Sequence, residues 1–222
     1  MELGENEPPA GPWRVESLAR FTQLVLEAAG VPLGRPPIVA IDGRSSSGKT
    51  TLARHLEDGI SGATTVHTDD IAWWSSFFGW SHMLVGDVLE PIHRGQSVRF
   101  RPPRWDERNR PGAIEVPIDS ALVIVEGVGA GRREVAHLLD RTVWVQSDLC
   151  EIDRRNAARI ASGEANGAIV DQWMAEEGPF LAEQRAWERA FIIVNGTPDL
   201  PYDPLTQVVI ASPPHGIANE CG

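Results

Sequence analysis

Two hydrophobic periods alternate along this chain, and their order predicts the fold. Pro37-Ile38-Val39-Ala40-Ile41-Asp42 is a short continuous apolar run, the pattern of a parallel strand buried on both faces. Thr51-Leu52-Ala53-Arg54-His55-Leu56 then carries apolar residues at helical spacing. Ala63–Thr68 reads as a second strand, and Ala121-Leu122-Val123-Ile124-Val125 is the clearest buried one. Arg141–Gln146 and Phe191–Val194 add two more, and residues 207–211 read as an edge strand. Residues 13–29 place Val15, Leu18, Phe21, Leu24, Val25 and Ala28 on one helical stripe, which ends at Gly30 and a proline-rich link. Further helices are expected over 82–94, 132–139, 148–161 and 168–189. Residues 97–101 and 113–118 predict a small hairpin around a turn bearing Arg101, Arg104, Arg108 and Arg110.

Strands that alternate with helices imply an α/β fold with a mainly parallel sheet and helices on both faces. Ligands then gather at the carboxyl ends of the strands. The expected organisation is a mobile segment and amphipathic helix over 1–36, a main domain over 37–212 and a loose tail over 213–222. Residues 1–12 are rich in Pro, Gly and Glu, the basis for calling them mobile.

The chemistry enters between the first strand and its helix. Gly43-Arg44-Ser45-Ser46-Ser47-Gly48-Lys49-Thr50 reads G-x-x-x-x-G-K-T, the phosphate-cradling P-loop. Its glycines turn backbone N–H groups toward phosphate oxygens. Lys49 reaches the β- and γ-phosphates, the Thr50 hydroxyl binds Mg²⁺, and Thr51 continues the helix whose positive end faces the anion. The expected cofactors are therefore ATP and Mg²⁺. Asp69-Asp70 and Glu126 also fall at predicted strand ends. An acid straight after five apolar residues is costly unless it is paired, so Glu126 calls for Mg²⁺ or Lys49 as its partner.

Composition narrows the class. Net charge is -11 over 222 residues, which argues against a nucleic-acid or anionic-membrane surface. Cys150 and Cys221 have no metal or redox spacing, and the acidic start lacks the apolar core of a signal peptide. A reducing, cytoplasmic setting is expected, with a small-molecule acceptor as partner and a homo-oligomer left open. The chain lacks the Asn-Lys-x-Asp element of GTPases and the Leu-Ser-Gly-Gly signature of ABC ATPases. A small P-loop kinase remains, in which acids near the γ-phosphate handle the acceptor hydroxyl and lid arginines cover the phosphoryl group.

The P-loop, Val66-His67-Thr68-Asp69-Asp70, Leu122-Val123-Ile124-Val125-Glu126-Gly127 and Arg154-Arg155-Asn156-Ala157-Ala158-Arg159 together resemble the uridine kinase family, with its nicotinamide riboside kinase and phosphoribulokinase relatives. The likeness spans roughly residues 37–197 in matching order. It implies a P-loop NTPase fold with a small lid and an acceptor-site hairpin. It also implies Asp69 as the base on the acceptor hydroxyl, with Asp70 its neighbour. Glu126 would hold Mg²⁺, and Arg155 and Arg159 would be the lid arginines. Arg104-Trp105-Asp106 replaces the family's Tyr-Asp-Phe acceptor element, with Trp105 placed to stack and Asp106 to bind a hydroxyl. The family's aromatic pair after the Asp becomes Ile71-Ala72, followed by Trp73-Trp74. Trp73, Trp74 and Phe77 are then the second set of candidate acceptor contacts.

Each residue also has a plainer reading. Asp69 suits a helix N-cap, the aromatic cluster at 73–80 a packed cap, the arginines at 99–110 a solvated hairpin edge, and Arg154, Arg155 and Arg159 a polar helix face. His67, His82 and His93 show no metal spacing. Three functions follow: a kinase for a nucleoside or similar hydroxyl compound, a kinase of the same fold for a nucleotide, sugar or antibiotic-like metabolite, and a non-catalytic ATP-binding module.

Overall fold

The computed structural model describes residues 1–73 and 75–213. Trp74 and residues 214–222 of the expected tail lie outside the described residues. In chain order the elements are β1 (Arg14–Ser17), α1 (Leu18–Ala29), β2 (Ile38–Gly43), α2 (Lys49–Gly59), β3 (Ala63–His67) and α3 (Thr68–Ala72). A helical run follows: α4 (Ser81–Met83), a π-helical turn (Leu84–Leu89) and α5 (Glu90–His93). Next come β4 (Val98–Phe100), α6 (Pro103–Glu107), β5 (Ile114–Val116), β6 (Leu122–Glu126), α7 (Arg133–Ala136) and β7 (Arg141–Gln146). The chain continues through α8 (Leu149–Ala161), α9 (Gly167–Gln184), a 3₁₀ turn (Ala186–Arg189), β8 (Ile192–Asn195) and β9 (Gln207–Ala211).

Among the described residues the main sheet has 7 strands in the order β1-β9-β8-β7-β2-β6-β3. From β8 to β3 every neighbour pair is parallel, whereas β9 and β1 pair antiparallel at the far side. The period-two rule explains why β2 reads as unbroken apolar sequence. Ile38 and Ala40 face one core with Val123, Val125, Leu84 and Ile92. Val39 and Ile41 face the other, with Phe21 and Val25 of α1 and Leu52 and Leu56 of α2. A third cluster, around Trp144, Ile193, Leu181 and Trp187, seats α9 and its 3₁₀ extension. The small β4–β5 hairpin is antiparallel, as the turn pattern predicts.

The structure corrects three readings at the N-terminal side. Val15 lies not on the helix but on β1, which pairs with β9. Residues 207–211 are consequently an inner strand, with β1 taking the edge. Residues 1–12 are packed rather than free. The Glu2 N–H donates to Asp148 Oδ2 at 2.7 Å, and Glu7 accepts from Trp144 Nε1 at 2.7 Å in the interior. Polar composition signals disorder only when no partner compensates it; here β7 and the N-cap of α8 supply one each.

β2 is anchored at its start by a bidentate pair. Arg35 donates to Asp140 at 2.7 and 2.8 Å, and the Ile38 N–H reaches the same carboxylate at 2.8 Å. Burial alone raises Asp140, but the Arg35 bond, the Ile38 N–H and the Arg35 charge outweigh it and hold the carboxyl below its ordinary value. A depressed carboxylate stabilises the fold above its unfolded-state pKa and loses that contribution as pH falls through the folded value. Asp140→Asn is expected to lower unfolding free energy by about 1–3 kcal/mol near neutral pH. In acid the difference should shrink, which urea unfolding of both proteins at the two pH values checks.

Candidate active site

The P-loop runs from the end of β2 into α2, and two glycines make the turn. Gly48 is the left-handed N-cap of α2, with φ 100°. Gly43 has φ 153°, and a Cβ there would lie 2.6 Å from the Val145 carbonyl oxygen of the neighbouring strand. The loop is tied from below by Asp42, which is fully buried. Its carboxyl accepts the N–H groups of Gly43 at 2.7 Å, Gly129 at 2.8 Å and Gly131 at 2.8 Å. Burial pushes the Asp42 pKa up, while the three N–H donors and the Lys49 charge pull it back.

Strand register brings the acids together. β3 and β6 pair so that His67 stands beside Glu126. His67 Nδ1 and Glu126 Oε2 are 2.7 Å apart, and the Thr50 hydroxyl donates to Glu126 Oε1 at 3.3 Å. The bond to Glu126 raises the His67 pKa, against the opposing effect of burial. Asp69 stands in the first turn of α3, whose N-cap is His67, so it does not cap the helix. It keeps solvent access at the floor of a cleft whose walls surround it on most sides. That partial desolvation raises its pKa. Glu126 and Asp70 add to the rise, and Lys49 and His67 oppose it.

One cleft of about 660 Å³ collects most of the predicted residues. Ser45, Ser46, Gly48, Lys49, Thr50 and Thr51 line it from the loop, Asp69 and Glu126 from the strand ends, and Arg155 and Arg159 from α8. Lys49 Nζ donates to the Arg44 carbonyl at 2.7 Å. Arg155 donates to the Ser46 carbonyl at 2.9 Å and the Gly196 carbonyl at 3.0 Å. Arg159 reaches the Ser46 hydroxyl at 3.4 Å.

Other predicted residues do not reach the cleft wall. Gly43, Arg44 and Ser47 are buried behind the loop, with Arg44 3.6 Å from Glu7. Arg104 pairs with Glu107 at 2.5 Å and Asp106 with Arg101 at 2.7 Å, both at the surface. Trp105 is 4% exposed, its N–H donates to the Asp70 carbonyl at 2.8 Å, and the Arg110 guanidinium covers its ring at 3.8 Å. A ring so covered has no face left for a ligand, which corrects the expectation that it stacks on one. Arg110 also pairs with Asp70 and lies 5.0 Å from the Trp73 ring. Phe77 meets the cleft through Trp173, edge to face at 5.0 Å.

Five further residues shape the site and have no role assigned from the sequence: Asp42, His67, Trp173, Glu177 and Glu7. Asp42 follows an apolar run, as Glu126 does, and the same argument from the cost of a buried acid would have flagged it. His67 acquires its partner through strand register, which no local pattern reports. Trp173 lines the cleft from α9. Glu177 accepts the Ser45 N–H at 2.5 Å from the same helix.

Thr50 and Glu126 offer hard oxygen donors of the kind Mg²⁺ prefers, and Mg²⁺ takes few protein ligands beside water and phosphate. The donor set therefore fits the ion. No group of three or more His, Cys, Asp or Glu side chains suited to a metal occurs among the described residues.

No protein-family model matches the chain, and no curated protein sequence does either. Solved structures do match. A provisionally assigned fructose transport system kinase from Silicibacter sp. is 18% identical with a TM-score of 0.55, over 79% of this chain and 96% of that one. A provisionally assigned uridine kinase from Bacillus stearothermophilus is 19% identical with a TM-score of 0.52, over 79% and 96%. The chain shares the fold of these two structures, a P-loop NTPase fold. The parallel order β8-β7-β2-β6-β3, with the loop leaving β2 at its centre, is the frame that carries this site.

Asp42→Asn keeps the size of the side chain but leaves one of its three backbone donors short of an acceptor. A buried unmet N–H costs about 1–3 kcal/mol. The variant should lose stability by that amount and bind ATP more weakly, since the loop's tie to residues 129–131 is weakened. Thermal unfolding and nucleotide titration check the two effects.

Proposed function

We propose that this protein is an ATP-dependent phosphotransferase that moves the γ-phosphate to a hydroxyl of a small molecule, a nucleoside or nucleoside-like compound being favoured. One observation carries the reading. Lys49, Thr50, Asp69 and Glu126 line a single cleft together with Arg155 and Arg159 of α8. A bare ATP-binding module has no need of an acid of raised proton affinity beside the phosphate loop. The two solved neighbours carry names of kinases, one for sugar transport and one for a nucleoside. Phosphoryl transfer is what the two names share.

Mg²⁺ and ATP, when bound, supply charge neutralisation and the phosphoryl group. The chain's own residues do the rest. The loop amides from Ser46 onward and the Lys49 ammonium hold the phosphates. Thr50 and Glu126 hold the ion, and His67 fixes the orientation of Glu126. Asp69 accepts the proton of the acceptor hydroxyl as it attacks, for which a raised pKa is an advantage. Arg155 and Arg159 cover the charge that spreads over the transferring group. Trp173, backed by Phe77 and Phe78, is the large apolar surface of this cleft against which an acceptor ring packs.

Asp69→Asn should lower turnover by roughly 10²-fold or more, the range for loss of a general base, with ATP affinity little changed. In the wild type, turnover should rise with pH as Asp69 loses its proton, and its midpoint should lie above the usual carboxylate range. Lys49→Ala should weaken both ATP binding and turnover. An acceptor panel of nucleosides, sugars and nucleotides, read by ADP release and product mass, tests the reading itself. Tight ATP binding with transfer to none of them would favour the ATP-binding module instead.

A further inference from the structure

Glu177 is a buried acid with no part in the reaction as drawn. It lies on α9, one turn after Trp173, and is 0% exposed. Its Oε1 accepts the Ser45 N–H at 2.5 Å. Its Oε2 is buried without a hydrogen bond, and so is the Trp173 indole N–H. The indole leans toward the carboxyl without a bond of normal geometry. Lys49 and Arg44 of the P-loop face Glu177 with positive charge. Behind them, Glu7 stands 3.6 Å from Arg44, and Asp42 interacts with Lys49. A buried carboxylate with an oxygen left over costs several kcal/mol unless nearby cations hold it, and such groups usually have a reason to persist.

That reason follows from what fills the loop. A polyphosphate brings several negative charges to Lys49 and the loop amides, so it competes with Glu177 for the same cations. We propose that Glu177 is a positioning residue that couples nucleotide binding to uptake of one proton, received at Oε2 from solvent when polyphosphate occupies the loop. The carboxylate becomes a neutral carboxylic acid, and no other bond changes. Oε1 holds the Ser45 N–H in both forms, so the shape of the loop is kept while a repulsive charge is removed. This rests on the reading that the loop binds nucleotide. Burial already raises the proton affinity of this carboxyl, opposed by the Ser45 N–H and the two cations. A bound phosphate raises it further. ATP affinity should therefore fall as pH rises through the window between the free and bound values.

Titration calorimetry of ATP and of inorganic tripolyphosphate, in buffers of different ionisation enthalpy, counts the protons. The comparison is wild type against Glu177→Gln, whose amide oxygen still accepts the Ser45 N–H. The wild type should take up more protons than the variant, by up to about one. Above the window the variant should bind ATP more tightly, by about tenfold for each unit of pKa displaced. The nucleotide's own protonation is common to both proteins and cancels. Equal uptake in the two proteins overturns the proposal even if both transfer phosphate. Should the variant not fold, a wild-type count no greater than the nucleotide's own overturns it without any variant. If neither ATP nor tripolyphosphate binds the wild type, the proposal and the kinase reading fall together.

Discussion

The buried carboxyl of Asp42 is the contact on which the rest of the site depends. It joins the first residue of the P-loop to the segment after β6 through the N–H groups of Gly43, Gly129 and Gly131. Without it the P-loop and the segment after β6 would be linked only through their strands and the Thr50–Glu126 hydrogen bond. Each N–H to a charged acceptor contributes about 1.5–3 kcal/mol, and three together are of the size of the penalty for burying one carboxylate. The arrangement is therefore close to balanced in energy. What it supplies is a fixed distance between the two strand ends.

The same logic extends along the first half of the loop. Gly43 is held by Asp42, the Arg44 guanidinium lies beside Glu7, and the Ser45 N–H is held by Glu177. Three acids, the neighbouring Asp42 and the more distant Glu7 and Glu177, thus fix three consecutive residues. From Ser46 onward the loop instead opens to the cleft, touched by Asn156 at 2.6 Å and by Arg155 and Arg159 of α8. The fixed half sets the geometry and the open half is left to bind anions. A phosphate site ringed by buried acids is less attractive to anions in general. It favours a ligand that brings its own cation or arrives with a proton.

Much of the fold was legible because buried parallel strands read as apolar runs and helices as a longer period. β7 and β9 fall at their expected residues, and the main-site residues lie where strand ends were expected. What stayed hidden depends on partners far away in sequence. Residues 1–12 looked unstructured because the groups that bury Glu7, Trp144 and Gln146, come more than a hundred residues later. Trp105 looked free to stack because its spacing matched an acceptor element. The cation that covers it, Arg110, was read as part of a solvated turn. Glu177 lies in the middle of a helix with no local mark to separate it from its exposed neighbour Glu176.

These hidden parts are not scattered at random. The phosphate-loop side of the cleft is built from strand ends, whose positions are set by hydrogen-bond register and tolerate little change. Around it stand insertions between strands: α3 to α5, the β4–β5 hairpin and the α8–α9 pair, of which α3, α8 and α9 supply lining residues. These pack through side chains, and side-chain packing can be rebuilt while the sheet stays fixed. Here the hairpin is closed on itself by Arg101–Asp106 and Arg104–Glu107 pairs and by the Arg110–Trp105 stack. The aromatic surface of the cleft lies on α9, where Trp173 meets Phe77 and Phe78. Trp173 also stands one turn before Glu177, so the helix that helps wall the cleft holds the phosphate loop at Ser45. A displacement of α9 at Trp173 would therefore reach that loop through one helix rather than through a chain of loops.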